Sequence, residues 1–519
     1  MTLNDVYEIL TTTPVATQPS LRQRRGISSV PLGAKSPSLA KGCPQSGRGS
    51  GIQIKNISTD SRTAGEGDLF IAIPGEKFDG HEFVAEVLSR GAAAAVVSRI
   101  VEGAPRDRQI LVPDTKEAYL KIGGWVRQQS KAKVIALTGS AGKTTTKEEL
   151  KFILSKFANV YATTGNFNND IGVPRTLCAM PADADIAIIE IGMSHAGEIA
   201  RIVPYVAPDI AIVTNVYPMH IEFFPDGLPG IARAKAEIFS GLKPGGIAVV
   251  NSDANHSALL IMAVKPPPCG GVDALVSRVG GGQRKSELSP PTGSKLPTPP
   301  QGGSLTAEII CFGKQNILSI SDYKVRAKIG NHECEFETSA PGEHHVYNAL
   351  CVLTVVDVLG FDVARAAEFI KDFDVLPGRG KTHQLPLAGG GNYMLIDESY
   401  SAQPESLKIA IKNLDAMPTC GRKIAVIGKM AEIGEKSQEM HQEIGRLLAQ
   451  ADIDVVIGVC PETRDILAQL RPDQQQFYFE NAQPVAEFLT GTLLRDGDTV
   501  LIKGSHYGSR LFETVDKLI

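Results

Sequence analysis

The stretch VIALTGSAGKTTTKEEL, from Val134 to Leu150, joins an apolar, strand-like run to a helix through a short turn that contains glycine. A strand that passes into a helix in this way leaves several backbone N–H groups unpaired, and the helix dipole adds partial positive charge at the same point. Lys143 adds a full positive charge, and Thr144 offers a hydroxyl oxygen of the kind that Mg²⁺ prefers. The stretch therefore predicts a site for the phosphates of a nucleotide.

The loop differs from the commonest phosphate-binding pattern. A G-x-x-x-x-G-K-[ST] loop requires glycine where this chain has Leu137, and the glycines here are Gly139 and Gly142. A glycine-rich turn with a solvated lysine is the alternative interpretation. We favour nucleotide binding because strand, glycines, lysine and hydroxyls follow one another in the order that phosphate binding requires. The loop alone does not identify a reaction.

Length and composition indicate a globular protein of several domains. A chain of 519 residues predicts two to four domains, and its formal charge of −4 gives no reason to expect nucleic acid or an anionic membrane as partner. No apolar run approaches the roughly 18–20 residues that span a bilayer, and the N-terminus lacks the pattern of a secretory signal. The eight cysteines contain no CxxC pair. We therefore expect reduced thiols in the cytoplasm, with neither a zinc site nor a disulfide framework.

Two segments rich in proline, glycine and serine interrupt the pattern of strands and helices. Residues 11 to about 50 predict a disordered insertion between a first helix, Leu3 to Leu10, and a strand near Ile52. Three arginines at positions 22–25 leave a functional basic arm as the alternative. Residues of about 265–304 predict a second insertion, on the surface of a later domain.

The rest of the chain alternates short apolar strands with helical segments, as in parallel sheets of the βαβ type. Two groups of such strands, separated near residues 376–380, predict two α/β domains that follow a smaller first domain. Ligands of these sheets bind beyond the carboxyl ends of the strands. We therefore expect the chemical partners of the phosphate loop to lie in the loops after the other strands.

Several polar residues follow such strands. In the run DIAIIEIG the predicted strand ends at Glu190, which is more easily interpreted as a Mg²⁺ ligand than as a carboxylate at a surface edge. Asn215 ends the next strand, and His220 follows it, with a structural role and a ligand role about equally favoured. Lys235 and Glu237 lie in a helical segment, where solvated charges are the default interpretation.

Ten segments, taken in order, resemble those of the Mur ligases. The resemblance covers nearly all of the chain except the two insertions. The segments are STDSR with GDLFIAIPGEKFDGHEF, TGSAGKTTTK, TTGNFNNDIGVPRTL, EIGMSHAGEI, TNVYPMHIE, ARAKAEIFSGL, GEHHVYNAL, LPGRG, IDESYSAQPESL and KGSHYGSRL.

This resemblance implies an α/β protein of three domains. Residues 1–112 would form a small α/β domain that binds the uridine end of the substrate, with the insertion at about 11–50. Residues 113–376 would form a parallel-sheet, P-loop ATPase-like domain, with the insertion at about 265–304. Residues 377–519 would form a Rossmann-like domain that binds the incoming dipeptide and part of the nucleotide.

The resemblance also implies a reaction. An ATP- and Mg²⁺-dependent ligase of peptidoglycan precursor synthesis would join D-alanyl-D-alanine to UDP-N-acetylmuramoyl-tripeptide through an acyl phosphate. These small molecules would be its partners, with no nucleic acid and no membrane span, and it would act as a cytoplasmic monomer. Whether the third residue of the peptide is diaminopimelate or lysine stays open.

Two alternatives lack their sequence signatures. A GTPase switch would need an N/T-K-x-D segment, and none occurs. The Mur ligase that adds the third residue would carry D-N-P-[RA] in its last domain, and this is also absent.

The family's functional residues are carried over position by position. Catalytic roles are implied for Lys143, Glu190, His220 and Lys235. Metal ligation is implied for Thr144, Glu190, His220 and Lys235, the last as a carbamate, because a protonated lysine cannot coordinate a cation. ATP contacts are implied for Thr138, Gly139, Ser140, Ala141, Gly142, Lys143, Thr144, Thr145, Asn348, Arg379 and Glu398. Substrate contacts are implied for Ser61, Arg62, Asn166, Asn168 and Asn169.

Some positions depart from the family's usual residues, mainly around the ribose contact and the dipeptide pocket. Asparagine is common where this chain has His345, Ser401 and Gln403. Aspartate is usual at Glu398 and Lys429, and arginine is common at His506.

Overall fold

The computed structural model describes residues 1–11, 52–75, 78–264, 307–321, 324–340, 342–431 and 433–519. Both predicted insertions lie outside the described residues, apart from Thr11. The predicted first helix is present as α1, Leu3–Thr11.

The first unit is a small parallel sheet with helices against it. The strand order is β1-β2-β3-β4, and every neighbouring pair is parallel. Its middle strands bury all their side chains between α1 and α3 on one face and α2 on the other. The elements are β1 (Ile57–Ser58), β2 (Leu69–Ile71), α2 (Val84–Ser89), β3 (Ala94–Val97), β4 (Gln109–Leu111) and α3 (Thr115–Gln129).

The second unit contains a six-stranded parallel sheet in the order β10-β9-β8-β5-β7-β6. Its strands are β5 (Lys133–Thr138), β6 (Val160–Ala162), β7 (Ile186–Glu190), β8 (Ile210–Val213), β9 (Ile247–Asn251) and β10 (Glu308–Phe312). The helices are α4 (Lys143–Leu154), α5 (Gly172–Cys178), α6 (Glu198–Val206), α7 (Leu228–Ala236), α8 (Ser257–Val264), α9 (Glu343–Val358) and α10 (Val363–Glu368).

An antiparallel sheet, which the sequence reading did not predict, packs on this unit. It consists of β11 (Ile317–Ser321), β12 (Lys324–Ile329) and β13 (His332–Glu337). Strand β12, KVRAKI, alternates exposed and buried residues, and its buried face joins the core beneath α9. This alternation is the usual sequence signal of a half-buried strand.

The third unit has a six-stranded sheet in the order β14-β15-β19-β16-β17-β18. The predicted strands of this group, β15, β16, β17 and β19, pair in parallel. Strand β14, which was not predicted, pairs antiparallel with β15 because a short turn joins the two strands. The strands are β14 (Lys381–Pro386), β15 (Asn392–Glu398), β16 (Lys423–Gly428), β17 (Val455–Val459), β18 (Gln475–Phe479) and β19 (Thr499–Lys503). The helices are α11 (Pro404–Ala416), α12 (Ser437–Gln450), α13 (Arg464–Leu467), α14 (Val485–Phe488), α15 (His506–Ser509) and α16 (Phe512–Leu518).

The fold brings strand ends together where the sequence predicted chemistry. Strand β5 lies between β7 and β8, so the loops after these three neighbours share one edge of the sheet. Throughout the described part of the chain, no helix is long and apolar enough to cross a membrane.

Candidate active site

The predicted phosphate loop connects β5 to α4, which begins at Lys143. Asn215, at the end of the neighbouring strand, holds the loop: its Oδ1 accepts from the Ala141 N–H (2.8 Å), and its carbonyl accepts from the Ser140 N–H (3.1 Å). Gly142 has a φ of +75°, which favours glycine. The N–H groups of the first turn of α4 therefore face a loop that is already fixed in shape.

Glu190 lies beside this loop and is completely buried. Its Oε1 accepts hydrogen bonds from Thr144 Oγ1 (3.2 Å) and Asn168 Nδ2 (2.7 Å). Its Oε2 has no hydrogen-bond partner among the described residues, and the nearest recorded cation is Lys147 Nζ at 3.8 Å. A buried carboxylate oxygen without a hydrogen bond, next to a threonine hydroxyl, fits a divalent cation bound with the phosphates.

His220 and Lys235 lie close enough to Lys143 to be affected by its charge. Burial, together with the charges of Lys143 and Lys235, lowers the pKa of His220 to about 4. Burial first, and Lys143 second, hold the pKa of Lys235 well below its usual range. A neutral amine is the form that can react with CO₂, so the environment of Lys235 suits a carbamate. Within the described residues, no three histidine, cysteine or carboxylate side chains cluster as a ready-made metal site.

A cavity of about 680 Å³ opens in front of these groups, between the second and third units. Its central wall is formed by the phosphate loop, Glu190, His220 and the segment after β6. Its opposite wall comes from the third unit, through residues 400–406 and 505–508, and Arg379 lies on the linker between them. The predicted residues that line it are Ser140, Ala141, Gly142, Lys143, Thr144, Asn166, Asn168, Asn169, Glu190, His220 and Arg379.

Other predicted site residues do not line the cavity. Asn348 lies behind the phosphate loop, where its Oδ1 accepts from Thr146 Oγ1 (3.2 Å). Glu398 is engaged by the buried Lys503, whose Nζ lies 2.5 Å from its Oε2. Ser61 and Arg62 belong to the first unit, where Arg62 forms an ion pair with Asp60. Thr138, Gly139, Thr145 and Lys235 belong to the elements around the phosphate loop without lining the cavity.

Tyr400, which the sequence reading did not single out, connects the two walls. Its hydroxyl accepts a hydrogen bond from Asn166 Nδ2 (2.9 Å), and the Arg379 guanidinium lies 4.2 Å from its ring centroid. The linker is attached to the third unit, because the N–H groups of Gly378 and Gly380 donate to the side chain and the carbonyl of Asp397. Only the fold brings these residues together.

The third unit's wall presents polar atoms without hydrogen-bond partners among the described residues. These atoms are Gln403 Oε1, Ser505 Oγ and His506 Nδ1. The His506 ring stacks on Phe512, with 4.4 Å between ring centroids. Lys429 does not face the cavity freely, since its Nζ lies 3.1 Å from Glu462 Oε1. These atoms are buried, so a ligand in the cavity would reach them only if their side chains turned toward it.

Comparison with protein families gives three matches that together span most of the chain. Residues 53–122 match the "Mur ligase family, catalytic domain", and residues 137–356 match the "Mur ligase middle domain". Residues 387–506 match the "Mur ligase, glutamate ligase domain".

Curated relatives are similar over nearly their full length. The UDP-N-acetylmuramoyl-tripeptide–D-alanyl-D-alanine ligase of Rickettsia prowazekii (strain Madrid E) is 32% identical over 475 residues, which cover 90% of this chain and 97% of the relative. The ligase of the same name from Escherichia coli (strain K12) is 34% identical over 422 residues, or 81% and 84% of the two chains.

Solved structures agree. MurF from Acinetobacter baumannii superimposes with a TM-score of 0.74 at 28% identity, covering 90% of this chain and 93% of that one. The MurF ligase of Thermotoga maritima in complex with ADP gives a TM-score of 0.72 at 26% identity, covering 90% and 97%. The three-domain α/β architecture inferred from the sequence is confirmed.

Proposed function

The chain belongs to the Mur ligase family, and from this premise we propose that it joins D-alanyl-D-alanine to UDP-N-acetylmuramoyl-tripeptide with consumption of ATP. The observation that carries the proposal is the shared cavity, in which the phosphate loop and Glu190 face polar loops of the third unit. A ligase that activates one substrate with ATP and then admits a second needs both walls around one space. The two curated relatives described above, which match over most of the chain, both bear the name of this ligase.

The phosphate loop supplies the groups that handle the nucleotide in this proposal. Lys143 and the first N–H groups of α4 stabilise negative charge on the transferred phosphoryl group. Thr144 and Glu190 are the residues that would hold Mg²⁺, and His220 with a carbamylated Lys235 would hold a second ion. Bound Mg²⁺ supplies further neutralisation of phosphate charge.

The proposed ligation has two chemical steps, activation of a carboxylate and formation of the peptide bond. The terminal carboxylate oxygen of the tripeptide attacks the γ-phosphorus, the bond to the bridging oxygen breaks, and ADP leaves. The amine of D-alanyl-D-alanine then attacks the acyl carbon, loses a proton and expels inorganic phosphate through a tetrahedral intermediate. Neither step uses a covalent nucleophile of the protein, so positioning does most of the work, together with stabilisation of charge and exclusion of water.

The remaining proposals assign residues to the muramoyl substrate and the nucleotide, and a location and oligomeric state to the protein. Asn166, Asn168 and Asn169 contact the muramoyl substrate, and Ser61 with Arg62 lies near its uridine end. Asn348, Arg379 and Glu398 approach the nucleotide. The remaining loop residues Thr138, Gly139, Ser140, Ala141, Gly142 and Thr145 shape the phosphate site. We propose that the protein works as a cytoplasmic monomer with small-molecule partners alone.

A phosphate-release assay tests this function. Purified protein with ATP, Mg²⁺ and UDP-N-acetylmuramoyl-tripeptide is given either D-alanyl-D-alanine or free diaminopimelate. We expect release of phosphate and formation of the pentapeptide product only when D-alanyl-D-alanine is the acceptor. A second mixture contains UDP-N-acetylmuramoyl-dipeptide and free diaminopimelate. Phosphate release in this mixture, with no release from the tripeptide substrate and D-alanyl-D-alanine, would assign the chain to the preceding reaction instead.

A further inference from the structure

Lys147 is buried one helical turn after Lys143 on α4. Its side chain has no exposed surface, and its Nζ donates hydrogen bonds to the carbonyl oxygens of Thr163 (2.7 Å) and Gly165 (2.6 Å). The ammonium also lies 2.8 Å from Glu148 Oε1 and 3.8 Å from Glu190 Oε2. One lysine therefore joins the helix of the phosphate loop to the segment that follows β6.

That segment, residues 163–169, is called the substrate segment below because it carries the three asparagines of the cavity. Its other side is fixed by Glu190 and the residues after it. The Glu190 N–H donates to Thr163 Oγ1 (3.1 Å), and the Gly192 N–H donates to the Asn168 carbonyl (2.8 Å). Lys147 thus completes a set of bonds that sets the distance between the substrate segment and the phosphate loop.

Stabilisation of the fold is a weak explanation for the buried positive charge of Lys147. Transfer of an ammonium from water into the interior costs several kcal/mol, and buried ion pairs are often replaced by apolar side chains without loss of stability. The buried residues of α4 that follow Lys147 are Glu149, Leu150, Ile153 and Leu154, so the charge lies next to an apolar patch of the core. A charged side chain that binds two backbone carbonyls is better explained by the geometry it imposes, because charge-assisted hydrogen bonds are short and directional.

We propose that Lys147 is a positioning residue for the muramoyl substrate. It holds the substrate segment against the phosphate loop, so that the carboxylate to be activated meets the γ-phosphate. This inference rests on the function proposed above. It requires that loss of Lys147 weakens binding of the UDP-linked substrate much more than binding of the nucleotide.

Two substitutions and a control test this role. Lys147→Met removes the charge and all donors while it keeps an unbranched chain of similar length, and Lys147→Arg keeps the charge. Lys151→Met is the matched control, since Lys151 is exposed on the same helix. Isothermal titration of the full-length proteins with UDP-N-acetylmuramoyl-tripeptide and, separately, with ADP measures both affinities without turnover. Thermal unfolding without ligands measures stability.

For Lys147→Met we expect at least a roughly tenfold weaker affinity for the UDP-linked substrate and an ADP affinity within about threefold of the wild type. Its unfolding midpoint should fall, because the buried Thr163 carbonyl loses its donor and Glu190 loses its nearest cation. Lys147→Arg should recover part of the affinity, and Lys151→Met should match the wild type. Unchanged affinity for the UDP-linked substrate, or equal losses of affinity for both ligands, would overturn the inference. A wild type that binds ADP but not the UDP-linked substrate would instead refute the proposed function.

Discussion

The two walls of the cavity differ in how their polar groups are paired. On the central wall, Thr144 and Asn168 bond to Glu190, and Asn215 bonds to the phosphate loop. On the wall from the third unit, the described residues leave Gln403 Oε1, Ser505 Oγ and His506 Nδ1 without hydrogen-bond partners. The first wall is organised by hydrogen bonds apart from Glu190 Oε2, whereas the second wall has three buried polar atoms whose hydrogen bonds are not made.

This difference suits the order of the proposed reaction. Transfer of a phosphoryl group depends on fixed dipoles and charges, and these act best when they need not reorganise. The acceptor dipeptide enters second and carries its own donors and acceptors. Substitutions in the two walls should therefore affect different kinetic constants.

Lys235→Ala should have the largest effect and tests the central wall. Removal of the buried amine removes the group proposed to form a carbamate, and we expect kcat to fall by about a hundredfold or more. The measurement is phosphate release with and without added bicarbonate. Full activity without bicarbonate dependence would show that the central wall does not need this residue.

Gln403→Ala should have a smaller effect, on the opposite wall. The loss of one side-chain hydrogen bond to the acceptor predicts a KM for D-alanyl-D-alanine about tenfold higher, with the KM for ATP unchanged. Gln438→Ala, an exposed position of α12 outside the cavity, is the control. Equal changes in both KM values would contradict the division of labour between the walls.

Tyr400→Phe tests the contact between the walls. The substitution removes the hydrogen bond from Asn166 but keeps the ring beside Arg379, so we expect the KM for the UDP-linked substrate to rise about threefold to fivefold. Tyr478→Phe, which removes a hydroxyl bonded to Glu480 outside the cavity, is the control. A tenfold fall in kcat would mean that the hydroxyl does more than align the walls.

Glu149→Met should have the smallest effect on catalysis. It tests the titration of a buried carboxyl group behind the central wall. Burial raises the pKa of Glu149 to about 8. The folded state therefore holds a proton that the unfolded chain loses near pH 4.5, so this group makes the protein less stable as the pH rises from about 4.5 to 8. The gain in unfolding free energy from Glu149→Met should be larger at pH 8 than at pH 5. A gain that does not change with pH would show that Glu149 does not titrate in this way.

The parts of the site that sequence could predict are those encoded locally. The phosphate loop follows a buried strand and Glu190 ends one, and the βαβ pattern predicts that such strand ends share one edge of a parallel sheet. The order of the strands, with β5 between β7 and β8, was not predicted. Lys147 and Tyr400 gave no such signal. The Thr163 carbonyl that Lys147 binds lies 16 positions away, the Asn166 amide that binds Tyr400 lies 234 positions away, and only the fold brings them close. The reversed direction of β14 and the antiparallel sheet were missed for different reasons. The first depends on a turn, whereas the alternation in β12 was visible in the sequence.

The attachment of the linker has a consequence for the charge on Arg379. Since the N–H groups of Gly378 and Gly380 bond to Asp397, the backbone of Arg379 is attached to the last domain. Its guanidinium nevertheless interacts electrostatically with Glu190, which lies in the second unit. A rigid rotation of that domain would carry this positive charge toward or away from the phosphate loop. The angle between the domains would therefore set the distance of this charge from the phosphate loop, and with it the electrostatic potential there.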